Sequence, residues 1–164
     1  MASQWYSLVS QKLFMAKTLL RQAEGPAPGD ASAQAIYREA ATQGAIELAL
    51  RARQLLLTMI ARLYQHKQSE PDSLQALAEL LGEESPETAE LQALAQTPDS
   101  WWNHLDQLET AQTRPPATRK TVNAENIIAV SAVSGPDRSG PGLNKLLDAL
   151  KQFADTLEER HSEW

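Results

Sequence analysis

The chain has 164 residues, contains no cysteine and carries a formal net charge of −6 at neutral pH. This length is typical of one domain with its own core, and the lack of thiols excludes disulfides and cysteine-based zinc sites. No uncharged apolar run approaches the roughly 18 residues that a membrane span requires, so we expect no membrane-spanning helix. The start of the chain lacks the pattern of a signal peptide, so we expect a cytoplasmic protein.

Composition and periodicity favour helices throughout the chain. Leucine and alanine dominate the apolar residues, and the chain contains only 7 glycines. We predict an all-α protein, a helical bundle built around a long central helix at about residues 31–68. A long irregular loop, residues 113–142, precedes the C-terminal helix. Residues 1–164 are predicted to form a single helical domain.

The charge is unevenly distributed. Residues 1–68 carry a net charge of +4, and residues 69–113, hereafter the acidic segment, contain ten acidic residues and neither lysine nor arginine. One interpretation is that the acidic segment folds over the basic first part and the charges pair. The other is an exposed acidic face that binds a basic partner. Nucleic acid is not favoured as a partner, because the chain has no basic stripe with interleaved aromatic residues.

The first predicted helix runs from about Ser3 to Ala23, and Gly25 with the following prolines ends it. Lys12 lies in the middle of its apolar face. One interpretation is that the side-chain stem packs on the core and the amine reaches solvent. The other is a partly buried amine paired with a carboxylate at a ligand site, which makes Lys12 a candidate binding residue.

The long predicted helix contains no proline and one glycine, Gly44, which permits the close approach of a neighbouring helix or marks a bend. Its polar residues fall in one narrow strip, so we predict that other helices cover the rest of its surface. The strip consists of Gln43, Glu47, Arg51, Gln54, Thr58, Arg62 and Gln65. Arg38 and Arg53 point away from it and should be covered. A buried guanidinium needs a carboxylate partner, and Arg53, also a candidate binding residue, should find one in the acidic segment.

The acidic segment is predicted to form three short helices, with N-caps at Ser73, Ser85 and Thr97. The third helix contains adjacent tryptophans, Trp101 and Trp102. One of them should anchor the core. The other is either a second anchor or an exposed binding residue, so both are candidate binding residues.

Residues 113–142 interrupt the helical pattern, and loops of this length are usually functional or disordered. The β-branched run at 127–133 suggests an extended strip across the bundle, with edge pairing to a second copy as an alternative. The last helix is predicted to begin near Gly142. Its apolar residues recur every three or four positions up to Trp164, and it should pack along the long helix.

The three histidines, His66, His104 and His161, lie far apart in sequence, so we predict no metal site, and no cofactor motif is present. Arg62 and His66 lie four residues apart near the end of the long helix. Together they form a candidate phosphodiesterase pair, with the arginine holding a phosphate and the histidine moving a proton. The alternative is a solvated arginine and a histidine near the negative end of the helix dipole. The pair loosely resembles the HEPN ribonucleases, although its spacing is shorter and Leu63 follows the arginine.

Four stretches carry a resemblance that spans the chain: SQKLFMAKTLL, IYREAATQGAIELAL, PDSWWNHLDQL and the closing HSEW. They resemble a bacterial family of small helical proteins, typical of Pseudomonas-like gammaproteobacteria, that is catalogued as a domain of unknown function. The resemblance implies a cytoplasmic helical bundle and supplies no catalytic or binding residues.

These observations lead to three functional hypotheses. The first is a non-enzymatic helical protein that acts through contacts with a protein partner or with a second copy of itself. The second is a HEPN-like ribonuclease that uses Arg62 and His66. The third is a helical bundle that binds a small ligand through Lys12 and the tryptophans.

Overall fold

A computed structural model describes residues 3–82, 85–115 and 135–162. The regular secondary structure of these residues is helical, and they contain no strand. The helices are α1 (Gln4–Glu24), α2 (Ala31–Leu63), α3 (Leu74–Leu81), α4 (Pro86–Gln96), α5 (Trp101–Thr113) and α6 (Gly140–Ser162). The all-α fold, the long helix and the extended interruption before the last helix are therefore confirmed. The predicted strip at 127–133 and the predicted position of Trp164 lie outside the described residues.

Helices α1 and α2 form an antiparallel hairpin. Ser3 caps α1, because its hydroxyl oxygen accepts a hydrogen bond from the backbone N–H of Tyr6 at 3.1 Å. At Gly44 of α2, an added Cβ would lie 2.9 Å from Cδ1 of Leu19 in α1. The prediction that this glycine permits a close helix approach is thus confirmed.

The second half of α2 is the centre of the bundle, and α1, α3, α5 and α6 all contact this helix. Leu56 and Ile60 have no exposed surface, and Thr58 of the predicted polar strip is also buried. The first turns of α2 are different: Ile36 is 69% exposed, and Arg38 is exposed rather than covered. The prediction of a helix covered nearly all round therefore holds from about Ala41 onwards and fails for the first turns.

Helix α2 ends at Leu63, whereas the prediction extended it to residue 68. The chain turns because Gln65 adopts a left-handed backbone conformation with φ of 66°. The N–H of Gln65 then donates to the carbonyl of Arg62, and the N–H of His66 to that of Ala61, both at 3.0 Å. This is the Schellman arrangement, in which glycine usually takes the left-handed position. With glutamine there, the sequence gives no signal of the helix end.

The three short helices of the acidic segment are confirmed, and Ser73 and Ser85 cap α3 and α4 as predicted. The predicted cap at Thr97 is wrong, because Ser100 caps α5 and accepts from the N–H of Asn103 at 3.1 Å. Thr97 instead follows α4 and donates its hydroxyl to the carbonyl of Ala93 at 2.7 Å. The serine closer to the helix therefore makes the capping hydrogen bond.

Helix α6 lies mainly against α1 and also contacts α2 and α5, whereas the prediction placed it along α2. Its buried face consists of Leu143, Leu146, Leu147, Leu150, Phe153, Ala154 and Leu157. Polar contacts fix it to α1: the backbone N–H of Ser3 donates to Glu158 at 2.6 Å, and the hydroxyl of Tyr6 donates to Asp155 at 2.7 Å. Such contacts between α1 and α6 depend on tertiary structure and have no periodic signature in the sequence.

Candidate functional site

The side chain of Arg62 contacts the turn after α2 and a tryptophan of α1. Its Nη1 donates to the backbone carbonyls of His66 and Ser69, each at 2.6 Å, and its guanidinium lies 5.1 Å from the ring centre of Trp5. The predicted pairing with the imidazole of His66 assumed a helix that continues to residue 66, and α2 ends at Leu63. Through these hydrogen bonds, Arg62 stabilises the turn that follows α2.

Lys12 is half-buried on α1, and within the described residues it forms neither a hydrogen bond nor an ion pair. Trp101 and Trp102 are both buried, at 9% and 5% exposure, so the second tryptophan is a second core anchor. Trp101 packs on Phe153 of α6 with ring centres 5.6 Å apart. Within the described residues, the grooves lined by Trp101 or Trp102 are not lined by Lys12.

Arg53 and Trp102, two of the predicted candidates, lie together between α2 and α5. Arg53 is 9% exposed, and its guanidinium lies 4.8 Å from the ring centre of Trp102. Its Nη1 donates to Asp106 at 2.5 Å and its Nη2 to Glu109 at 2.8 Å. Both carboxylates belong to the acidic segment, so the predicted source of the partner is confirmed. This fork of two charge-assisted hydrogen bonds over an aromatic ring is a geometry that arginine provides and lysine does not.

An open groove of about 670 Å³ lies beside this cluster, bounded by α2, the start of α3, the end of α4 and α5. We call it the Arg53 groove. Its apolar lining consists of Leu50, Leu57, Leu74, Ala95 and Trp102. Its charged lining consists of Glu47, Arg51, Arg53, Asp72, Asp106 and Glu109. Because four helices supply most of the lining, the groove is held mainly by secondary structure.

A second cluster, absent from the sequence-based predictions, surrounds Glu87 in the first turn of α4. This carboxylate is only 3% exposed. Its Oε2 accepts hydrogen bonds from the hydroxyl of Tyr64, which follows α2, and from Ser85 at 3.3 Å. Its Oε1 lies 3.2 Å from Nε2 of His161 near the end of α6. The Glu87 cluster therefore joins three helices that are distant in sequence.

The environment of Glu87 lowers its pKa. Burial by itself raises the pKa, but hydrogen bonds from Tyr64, from its own backbone N–H and from His161 outweigh burial, so the pKa lies below its ordinary value of 4.5. The pKa of Tyr64 is raised, by burial first and then by its hydrogen bond to Glu87. The carboxylate, phenol and imidazole of this cluster are side chains that can act as general acids or bases in enzymes. However, Glu87 is enclosed by its partners, and we assign the cluster a structural role.

Across residues 3–82, 85–115 and 135–162, no group of three or more histidine, aspartate or glutamate side chains is placed to hold a metal ion. His104 instead places Nε2 2.7 Å from the backbone carbonyl of Asp137, just before α6. A small apolar space among Leu20, Ile46 and Leu147 has a volume of about 10 Å³, too little for a ligand.

The fold and the groove define a small all-α protein with an open, charged surface groove. Over its whole length, residues 1–164, the chain belongs to DUF6586, a family of unknown function. The comparison with curated proteins gave no match, and the comparison with solved structures gave none either. Among the described helices, none combines the length and apolar character needed to cross a membrane.

Proposed function

We propose that this chain is a non-enzymatic helical protein that acts by binding another protein, and that the Arg53 groove is its contact surface. One observation carries the proposal: an open groove that four helices line with both apolar and charged side chains. Protein interfaces commonly combine an apolar centre, often with an aromatic residue, with a polar rim.

The apolar side chains of the groove supply the apolar contact. Leu50 and Leu74 are half-buried and retain apolar surface, whereas Leu57 and Trp102 are almost fully covered. Arg53 ties α5 to α2 through Asp106 and Glu109, which lowers the conformational entropy that a partner would otherwise have to remove. The groove is thus a preorganised surface rather than one that must form on binding.

Capture from an extract of the source cells tests this proposal. We expect the immobilised chain to capture a protein whose cross-links map to the groove, and Leu74→Gln to reduce the captured amount about fivefold, which corresponds to about 1 kcal/mol. Leu94→Gln is the matched control, because Leu94 is also half-buried but lines a different groove beside α6. Equal capture by wild type, Leu74→Gln and Leu94→Gln would show that the groove is not the contact surface.

Self-association is the alternative form of protein contact, and one observation favours it. Phe14 and Met15, adjacent on the outer face of α1, are 67% and 43% exposed. A second copy that covered them would remove apolar surface from water. Size-exclusion chromatography with light scattering should then give the mass of two chains, and Phe14→Ser should return it to one. A monomeric mass up to high micromolar concentration would exclude the dimer.

The sequence resemblance supports two further parts of the proposal. We infer a bacterial, Pseudomonas-like source and a cytoplasmic location. Cell fractionation with an antibody to the chain tests the location, and recovery in the periplasmic or membrane fraction would contradict it.

A further inference from the structure

We propose that the segment that enters the Arg53 groove is basic, with lysine or arginine side chains on either side of apolar ones. This inference rests on the proposed function and adds the chemistry of the partner. It depends on which charges of the groove are already compensated within the chain and which are not.

The charges that line the groove are unequal in number: four carboxylates face two guanidinium groups. Arg53 is fully engaged, because Asp106 and Glu109 accept from its two terminal nitrogens. Arg51 is exposed, and its Nη1 donates to the neutral amide of Gln54 at 3.0 Å. The arginines therefore leave the groove with an excess of negative charge.

Within the described residues, the carboxylates of the groove that lack an ion pair are Glu47, on α2, and Asp72, just before α3. Glu47 accepts a hydrogen bond from the neutral amide of Gln112 at 2.5 Å, and Asp72 is exposed just before the capping serine of α3. Arg51, one turn from Glu47 on α2, offsets part of this charge without forming an ion pair with a residue that the structure describes. A carboxylate without an ion pair is the feature that lysine or arginine of a partner would match.

The apolar side chains of the groove add a second requirement for the partner segment. The groove follows α2 from Glu47 to Leu57, which corresponds to about 15 Å of helix axis. Leu50 and Leu74 line the same groove as these two carboxylates. A segment with apolar side chains facing the leucines and cationic ones facing Glu47 and Asp72 satisfies both features, as an amphipathic basic helix does.

A binding titration with designed probes tests the inference. The probe is a fluorescein-labelled helical peptide of leucine and lysine, and its counterpart replaces every lysine with glutamate. Fluorescence anisotropy is measured with the full chain. We expect the lysine peptide to bind and the glutamate peptide not to bind, with affinity falling as salt is raised from about 0.05 M to about 0.5 M, because salt screens exposed charges.

A charge-matched pair of variants localises the binding. Glu47→Lys with Asp72→Lys reverses the two groove carboxylates, and Glu79→Lys with Glu90→Lys makes the same change in charge at exposed sites outside the groove. We expect the first to weaken the lysine peptide at least about tenfold and the second to weaken it less than about threefold. An equal loss of affinity in both double variants would mean that binding depends on net charge alone, and it would overturn the inference. No binding of the lysine peptide to wild type would overturn it as well.

Failure of this inference and failure of the proposed function are distinguishable. If the partner captured from the extract is lost in Leu74→Gln but its cross-linked segment is neutral or acidic, the groove is the contact surface and the basic partner is wrong. If no protein is cross-linked to the groove of the wild type, the proposed function itself fails. A peptide with the same lysines but with serine in place of leucine that bound equally well would also contradict the requirement for an apolar contact.

Discussion

Glu87→Ala is expected to destabilise the protein by about 3 kcal/mol, because it removes the acceptor at the centre of the Glu87 cluster. The hydroxyl of Tyr64 and that of Ser85 lose their shared acceptor, and His161 loses its carboxylate partner. The three groups belong to different segments, so the loss also weakens the attachment of α4 to α2 and α6. Glu90→Ala is the matched control on the same helix.

Urea unfolding followed by circular dichroism measures this difference. Glu90 is exposed, and its nearest cation is Arg160 at 3.7 Å, so its replacement should change the free energy of unfolding by less than about 0.5 kcal/mol. Equal losses of stability in Glu87→Ala and Glu90→Ala would contradict the central role of the buried carboxylate. A smaller loss in Glu87→Gln than in Glu87→Ala is expected, because the amide oxygen still accepts from Tyr64.

The same carboxylate makes stability depend on pH. The pKa of Glu87 is lower in the folded protein than its ordinary value of 4.5, so the unfolded chain binds the proton more tightly. The stabilisation by ionised Glu87 is therefore fully present above about pH 4.5 and is lost as pH falls through the lower, folded pKa. Below pH 4.5, the wild type should lose stability more steeply than Glu87→Gln. Parallel curves for the two proteins would contradict this assignment.

Ile60→Ala is expected to reduce the free energy of unfolding by about 3 kcal/mol, whereas Ile36→Ala should change it by less than about 0.5 kcal/mol. The chemical change is the same and the helix is the same, but Ile60 has no exposed surface and Ile36 is 69% exposed. The truncation at Ile60 leaves a cavity where α2 meets the other helices. At Ile36 it removes atoms that water already surrounds.

Thermal unfolding of Ile60→Ala and Ile36→Ala measures this difference in stability. The melting temperature should fall markedly for Ile60→Ala and stay near that of wild type for Ile36→Ala. A comparable fall for both would mean that the first turns of α2 are covered in solution. The same melts test the predicted single domain, because circular dichroism and tryptophan fluorescence should report one coincident transition.

The sequence predicted the fold well where local physical chemistry decides the structure. Periodicity identified the helices, and the serines before α3 and α4 were recognised as caps because a capping hydrogen bond needs only a few neighbouring residues. The end of α2 was missed because Gln65 occupies a left-handed position that glycine usually signals. The exposure of Ile36 was missed because periodicity shows which face is apolar, not how far neighbouring helices extend along it.

The candidate site was predictable only in part. Arg53 was recognised because a guanidinium on an apolar surface needs carboxylates, and the acidic segment contains ten of them without a lysine or arginine. Which carboxylates these are, and that Trp102 lies beneath the guanidinium, depends on how α5 packs on α2. Glu87 was not among the predicted site residues. Its partners, Tyr64 and His161, come from distant parts of the chain, and no short motif joins them.

The α1–α2 hairpin also has a consequence for the order of folding. Its many contacts join neighbouring parts of the chain, so loop closure removes little entropy there and early nucleation is favoured. Helices α3 and α4, with 8 and 11 residues, are shorter than the roughly 12 to 15 residues at which isolated helices become stable in water. We therefore expect the hairpin to template the short helices, and pulsed hydrogen exchange should show amides of α1 and α2 protected before those of α3 and α4.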